Sequence, residues 1–375
     1  MNPALLARAA DRWGTPLYVT DLDAAAARAG SWQRALPGAL VAYAVKANPD
    51  PALLRRLARD GIGFEVVGPV ELAQAQRAGA SPDRIVANGI GQTDADLVAA
   101  LAAGALVNAE SIGALETLVR HPGRIGVRVN PAVDARTHRH LATGAADAKF
   151  GIALDELPVA VTLVRDSGRR LASIGAHIGS DVRDLEPFVE LASMLAALAI
   201  ETGAERIDLG GGFAGPPEAY AAAVGAHLPD ASRLTVEPGR GIVAEAGWLL
   251  TRVVRTQARG HLIADAGMTE LIRPMLYGAR HPVMLVAPGR SVGNGPWTLS
   301  GPVCEAGDVL VGEVRLGSDV GEGALLAIGD AGAYGLSMAS NYNGRLRPAQ
   351  AVIEGGELRL SRGRETLEDL LARDV

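Results

Sequence analysis

Between residues 40 and 245 one pattern recurs along the chain. A short apolar run ends in polar or glycine residues, and an Ala/Leu-rich amphipathic stretch follows. The runs are "LVAYAVKAN" (40–48), "GFEVVG" (63–68), "RIVANG" (84–89), "ALVNAE" (105–110), "RIGVRVNP" (124–131), "SIGAHIGS" (173–180), "RIDLGGGF" (206–213) and "RLTVEPGR" (233–240). Eight strands, each followed by a helix, predict a closed (β/α)8 TIM-like barrel. An open doubly wound sheet also alternates, but it rarely needs eight regular units. Lys46, Glu65, Asn88, Glu110, Arg128, His177, Gly211 and Glu237 all fall at or near C-terminal strand ends. In a barrel those ends meet on one rim, where active sites are built.

After about residue 245 the texture changes. "WLLTRVVRTQ", "HLIADAG", "RHPVMLVA", "SVGNGPWTLSGPVC", "DVLVGEVRL", "ALLAIGDAGAY" and "PAQAVIEGGELRLS" are short strand candidates with Gly/Pro turns and no helices between them. They predict a β-rich second domain of barrel or sandwich type. "GTPLYVTDLD" reads as a strand that joins it, "MNPALLARAADRWG" as a short amphipathic helix, and "TLEDLLARD" as a final helix. The expected division is 24–245 for the barrel, and 1–23 with 246–375 for the β-rich domain.

Composition narrows the function classes. The 375 residues are 48% hydrophobic and 21% charged, with a formal charge of −6. That balance offers no basic footprint for nucleic acid and no polybasic membrane patch. The longest apolar stretches, such as "MLAALAI", are too short to span a bilayer. The N-terminus has no basic region of the signal-peptide kind. The single cysteine, Cys304, excludes an internal disulfide, so a cytoplasmic setting is expected.

The chemistry starts at Lys46, which closes an apolar strand although lysine is seldom buried without a use. "DLGGGF" and "VEPGRG" end the seventh and eighth strands. Backbone N–H groups freed of side chains cradle phosphate, and the loops after strands seven and eight of a barrel are a recurrent phosphate site. A rim lysine beside such a site either neutralises the phosphate or forms a Schiff base with pyridoxal 5′-phosphate. The second use needs a flat group for the ring, which His177 offers, and a charged partner for the pyridine nitrogen, which Glu237 offers. It also needs carboxylate clamps, for which Arg128, Arg240 and Arg273 are candidates.

"YAVKAN", "HIGS", "DLGGGF", "EPGR", "DAGMTELIRPMLYGARH", "GPVCEAGD" and "GAYGLSMASNYNGRLRP" together resemble the fold-type III pyridoxal phosphate decarboxylases, over essentially the whole chain. Several motifs in the right order are far more specific than any one. "THRHLATGAADAKFGI" and "RGRETLEDLL" match the branch that decarboxylates meso-2,6-diaminopimelate to L-lysine. The resemblance implies roles. Lys46 would carry the cofactor, and His177 would stack on its ring. Ser180, Gly210, Gly211, Gly212, Gly239 and Arg240 would hold its phosphate, with Glu237 at the pyridine nitrogen. Arg240, Arg273 and Tyr277 would bind substrate carboxylates, and Tyr334 would touch phosphate or substrate. Cys304 would protonate the product carbanion, and Glu305 would grip the distal amine. The family's "CE" pair enters the site from a partner subunit, which implies a homodimer with shared sites.

Other members of the fold act on ornithine, lysine or carrier-linked substrates. An amino-acid racemase would place arginine, not Glu237, at the ring nitrogen. A non-catalytic pyridoxal phosphate carrier would lack the β-rich region. The chain departs from the family pattern at Glu65, where aspartate is usual, at Gly68 and Pro69 in place of Ser-Gly, at Asp181 and at Gly241. These departures bear on substrate preference, not on reaction class. Taken singly the residues have plainer readings: a snorkelling lysine, a core histidine, a buried small thiol, structural ion pairs. His138 and His140 form an H-x-H without a third ligand at metal spacing, so no metal site is expected.

Overall fold

The structure is a computed structural model. It describes residues 2–375 except 139, 146, 229, 290–294 and 318–319. The chain divides into two compact units, Ala26–Ile242 and Met1–Ala25 with Val243–Val375.

The first strand, β1 (Leu17–Asp21), belongs to the second of these units. The next eight are β2 (Leu40–Ala44), β3 (Gly63–Val66), β4 (Ile85–Ala87), β5 (Leu106–Ala109), β6 (Arg124–Arg128), β7 (Ser173–Gly175), β8 (Arg206–Asp208) and β9 (Leu234–Val236). Among the described residues they pair in parallel, each with the next, and β2 closes onto β9. This is the (β/α)8 barrel that the eight runs predict. Every strand stops short of its run. The polar and glycine residues at the C-terminal ends leave the ladder and form the loops of one rim, as barrel active sites require. Near the N-terminal ends, Ala42, Val86 and Leu106 pack together with Leu40 and Ala172 on them. The interior is thus a filled core below the rim. Behind the glycine loop, Phe213 packs against Phe188 and Tyr220 with ring centroids 5.6 and 5.3 Å apart.

The other unit is a β-rich sheet. Its remaining strands are β10 (Gly247–Gln257), β11 (His261–Ala264), β12 (Val283–Ala287), β13 (Trp297–Ser300), β14 (Val309–Val314), β15 (Leu325–Ile328), β16 (Ala349–Glu354) and β17 (Glu357–Arg362). β1 lies between β10, antiparallel, and β16, parallel, so "TPLYVTD" does join this unit. Two apolar clusters are built on it, one around Leu249, Leu262 and Leu326, the other around Leu17, Leu250 and Ala351. The helix Pro3–Trp13 adds Leu6, Ala9 and Ala10 to the second. Its N-terminus is capped by Asn2, whose side chain accepts from Ala4 N–H at 2.9 Å. Of the predicted strand "SVGNGPWTLSGPVC", "SVGN" lies outside the described residues. Trp297–Ser300 is strand, and within "GPVC" the residues 302–304 are a run of bends.

Candidate active site

β2 ends at Ala44, and Val45–Ala47 tightens into a 3-10 turn with Val45 and Ala47 buried, from which the Lys46 side chain emerges. The turn is fixed on its far side. Asp50 caps the helix Pro51–Arg59 by accepting from Ala52 and Leu53 N–H at 2.7 and 3.1 Å. The Tyr43 hydroxyl donates to Asn48 O at 3.2 Å. Gly239 lies against this turn: a Cβ there would sit 3.0 Å from the Cβ atoms of Ala44 and Ala47.

In register with Ala44 stands Glu65 of β3, 1% exposed, and its Oε2 is ion-paired with Lys46 Nζ. A polar relay crosses the rim from there. Asn88 Nδ2 donates to Glu237 Oε1 at 2.7 Å and lies 3.4 Å from Glu65 Oε1. Asn108 Nδ2 donates to Asn88 Oδ1 at 2.9 Å. Glu110 accepts from Gly89 N–H at 3.0 Å and from Arg128 at 3.1 Å, and the Arg128 guanidinium lies 5.0 Å from the Phe150 ring centroid.

His177 follows β7. Gly211 N–H donates to its Nδ1 at 3.0 Å, which places the proton of the neutral ring on Nε2. Its carbonyl accepts from Thr143 Oγ1 at 2.8 Å. Burial, then the positive charges of Arg128 and Lys46, hold its pKa well below the usual value, so the ring is neutral. The loops after β7 and β8 are stitched together: Val182 N–H donates to Gly212 O at 3.0 Å, and Ala214 N–H to Val182 O at 2.9 Å. Gly210 and Gly212 have φ of +62° and +100°, and a Cβ on Gly212 would strike Gly179 O. Only glycine fits this wall. Arg240 donates to Ser180 Oγ at 3.3 Å, which ties the third loop of the wall to the first.

The described barrel thus holds a cavity of about 460 Å³ whose lining includes Lys46, Glu65, Asn88, His177, Asp208 and Glu237. Burial first, then Asp208 and Glu65, push the Glu237 carboxyl well above the usual range. Asp208 is pushed up to about 6, chiefly by burial. Asp208 Oδ2, Asn108 Oδ1 and Glu110 Oε2 are buried without hydrogen-bond partners among the described residues. Orphaned polar atoms around a cavity are a site built for a polar occupant. A lysine, a neutral imidazole, a buried carboxyl group and a glycine-and-arginine loop wall fit pyridoxal phosphate.

The remaining expected residues lie in the β-rich unit. Arg273, 3% exposed, opens the short helix Arg273–Tyr277, and its guanidinium lies 5.4 and 5.9 Å from the ring centroids of Tyr277 and Tyr334. Tyr334 has a φ of +56°. Cys304 is exposed, with its N–H held by Asn343 Oδ1 at 3.2 Å, and Glu305 accepts from the Tyr342 hydroxyl at 2.6 Å. The structure brings Lys46, His177 and Glu237 around one cavity, with Ser180, Gly210–Gly212, Gly239 and Arg240 in adjoining loops. It groups Arg273 with Tyr277 and Tyr334, and Cys304 with Glu305. Sequence reasoning did not single out Asp208, Asn108 and Thr143 as site residues. Asp208 carried a signal, a carboxylate on the last residue of a barrel strand just before three glycines.

A barrel whose rim joins a lysine, a carboxyl cluster and a wall of glycine loops defines a cofactor-dependent barrel enzyme. The sequence profile described as "Pyridoxal-dependent decarboxylase, pyridoxal binding domain" matches residues 22–244. The chain is 42% identical to a diaminopimelate decarboxylase of Deinococcus radiodurans, covering 98% of this chain and 97% of the relative. It is 39% identical to that of Pseudomonas aeruginosa, over 98% and 94%. The diaminopimelate decarboxylase of Helicobacter pylori, solved with L-lysine, superposes with a TM-score of 0.90 at 33% identity, covering 96% of each chain. The chain belongs to the pyridoxal-dependent decarboxylases.

Proposed function

We propose that this enzyme decarboxylates meso-2,6-diaminopimelate to L-lysine and CO2. One observation carries the reading: the Lys46–Glu65–Asn88–Glu237 relay lines one cavity in a chain whose near-full-length relatives bear that activity's name. Bound pyridoxal phosphate supplies an electron sink for the electron pair that the departing carboxylate leaves behind.

This chain's residues do the rest. Lys46 holds the cofactor. His177, neutral and fixed through Gly211, presents a flat uncharged face to the ring. Glu237 keeps a proton at the pyridine nitrogen. Ser180, Gly210–Gly212, Gly239 and Arg240 receive the phosphate. Arg273 and Tyr277 hold the distal carboxylate, Tyr334 touches phosphate or substrate, and Glu305 holds the distal ammonium. Cys304 delivers the proton to Cα. The motif "GPVCEAGD" supports a homodimer in which the partner subunit's Cys304 and the partner subunit's Glu305 serve each Lys46.

A distal centre bearing both charges distinguishes diaminopimelate from lysine and ornithine, and sites with buried polar groups discriminate strongly against analogues that leave them unpaired. CO2 release by the holoenzyme on a panel of these amino acids tests the reading. A large preference for meso-diaminopimelate is expected. Equal or better turnover of lysine or ornithine overturns the substrate and leaves the decarboxylase.

A further inference from the structure

Two carboxyl groups meet in the cavity wall where only one is needed to face a ring nitrogen. Asp208 ends β8 and is in register with Thr235 of β9, two residues before Glu237. Both side chains are buried, at 3% and 6% exposure, and both line the cavity. Each has one oxygen committed. Asp208 Oδ1 accepts from Gly210 N–H at 2.9 Å, and Glu237 Oε1 accepts from Asn88 Nδ2 at 2.7 Å. Asp208 Oδ2 has no donor among the described residues, and the two carboxyl groups line the same cavity from adjacent, paired strands. Two carboxylates are acceptors only, so they hydrogen-bond only with a proton between them.

The groups around the pair do not remove that need. Glu65 adds negative charge from β3, and Lys46, already ion-paired with Glu65, adds positive charge from the turn after β2. Arg206 acts on Asp208 from the start of β8, and buried Tyr220 packs near it. Across the cavity stand neutral His177 and Arg128, the latter engaged by Glu110. Two buried carboxylates side by side cannot both ionise cheaply.

We infer that Asp208 is a positioning residue that shares a single proton with Glu237, and that the pair, not Glu237 alone, is the acid that meets the cofactor's ring nitrogen. This rests on the pyridoxal reading above. On cofactor binding the shared proton passes to the ring nitrogen. The ring gains one positive charge and the pair is left as two carboxylates, so charge and protons balance. Burial displaces both carboxyl groups upward, and the charge of Asp208 adds to the displacement of Glu237, which agrees with this arrangement.

The test begins without cofactor. Infrared spectra of the cofactor-free protein near neutral pH are compared for wild type, Glu237→Gln and Asp208→Asn. A protonated-carboxyl band is expected in wild type and absent from both variants. A band that is lost in Glu237→Gln but kept in Asp208→Asn shows that Glu237 holds its own proton and overturns the inference. Asp208→Ser serves as a second variant should Asn impair folding, which circular dichroism reads. Calorimetry of pyridoxal phosphate binding in buffers of different ionisation heat then counts protons. Asp208→Asn should take up about one proton more than wild type, because its ring proton must come from solvent. Equal counts overturn the transfer. Failure of the pyridoxal reading would be seen separately, as no cofactor absorbance on titration with the infrared band intact.

Discussion

The ammonium of Lys46 is ion-paired with the carboxylate of Glu65 on the neighbouring barrel strand, and the two are unequally buried. Glu65 is 1% exposed while the Lys46 side chain is 37% exposed. Removing the lysine therefore strands a buried carboxylate, whereas a fully buried pair would cost about 3–5 kcal/mol to break. With Lys46 partly in solvent, the expected loss for Lys46→Ala in the cofactor-free protein is roughly 1–3 kcal/mol. Lys46→Ala/Glu65→Gln should recover most of it in urea unfolding. A double variant no more stable than the single one would show that the pair carries no such coupling.

His177 gives the protein a pH dependence of definite sign. In the unfolded chain a histidine gains its proton near pH ~6.5. Folded His177 resists protonation to well below that, because it is buried and faces Arg128 and Lys46. Below about pH 6.5 the unfolded state binds more protons, so stability is full above that pH and falls as pH drops, by at most ~1.4 kcal/mol per pH unit. Replacing His177 by Gln should remove about one proton from that slope. Urea midpoints between about pH 5 and 8 for the two cofactor-free proteins check it, and identical slopes would contradict it.

Arg273 is proposed to pair the distal carboxylate from a nearly buried position, where a charge-assisted pair discriminates strongly between substrates. Arg273→Ala should lower kcat/KM for meso-diaminopimelate by about 10²-fold or more while changing residual lysine turnover far less. An equal loss for both substrates would mean that Arg273 acts on the common α-amino acid portion or on folding.

Shared sites predict complementation. Lys46→Ala and Cys304→Ala should each be strongly impaired alone. Unfolded, mixed equally and refolded, they should give about half mixed dimers, each with one intact site, and recover about a quarter of wild-type activity. No recovery, with mixed dimers confirmed by mass spectrometry, would place Lys46 and Cys304 of one subunit in the same site.

The barrel was legible because eight apolar runs each ended in a chemically distinctive residue. Strand length was not. In "LVAYAVKAN" only Leu40–Ala44 pairs, because the chain turns sharply at Val45–Ala47 to point Lys46 off the ladder. Lys46, His177 and Glu237 could be named from strand ends. Asp208 could not be assigned a role, since its partnership with Glu237 depends on two adjacent strands brought into register, which no spacing along the chain displays. Thr143 was hidden for a similar reason: it braces His177 from a long loop with no periodicity.

The barrel cavity around Lys46 is proposed to be the pyridoxal phosphate site. Borohydride reduction of the yellow holoenzyme followed by peptide mapping tests it most directly. Cofactor should be fixed covalently on Lys46, about one per chain, with none fixed on Lys46→Ala. Cofactor fixed on Lys149, the chain's other lysine, or a colourless protein that takes up no cofactor, would contradict it.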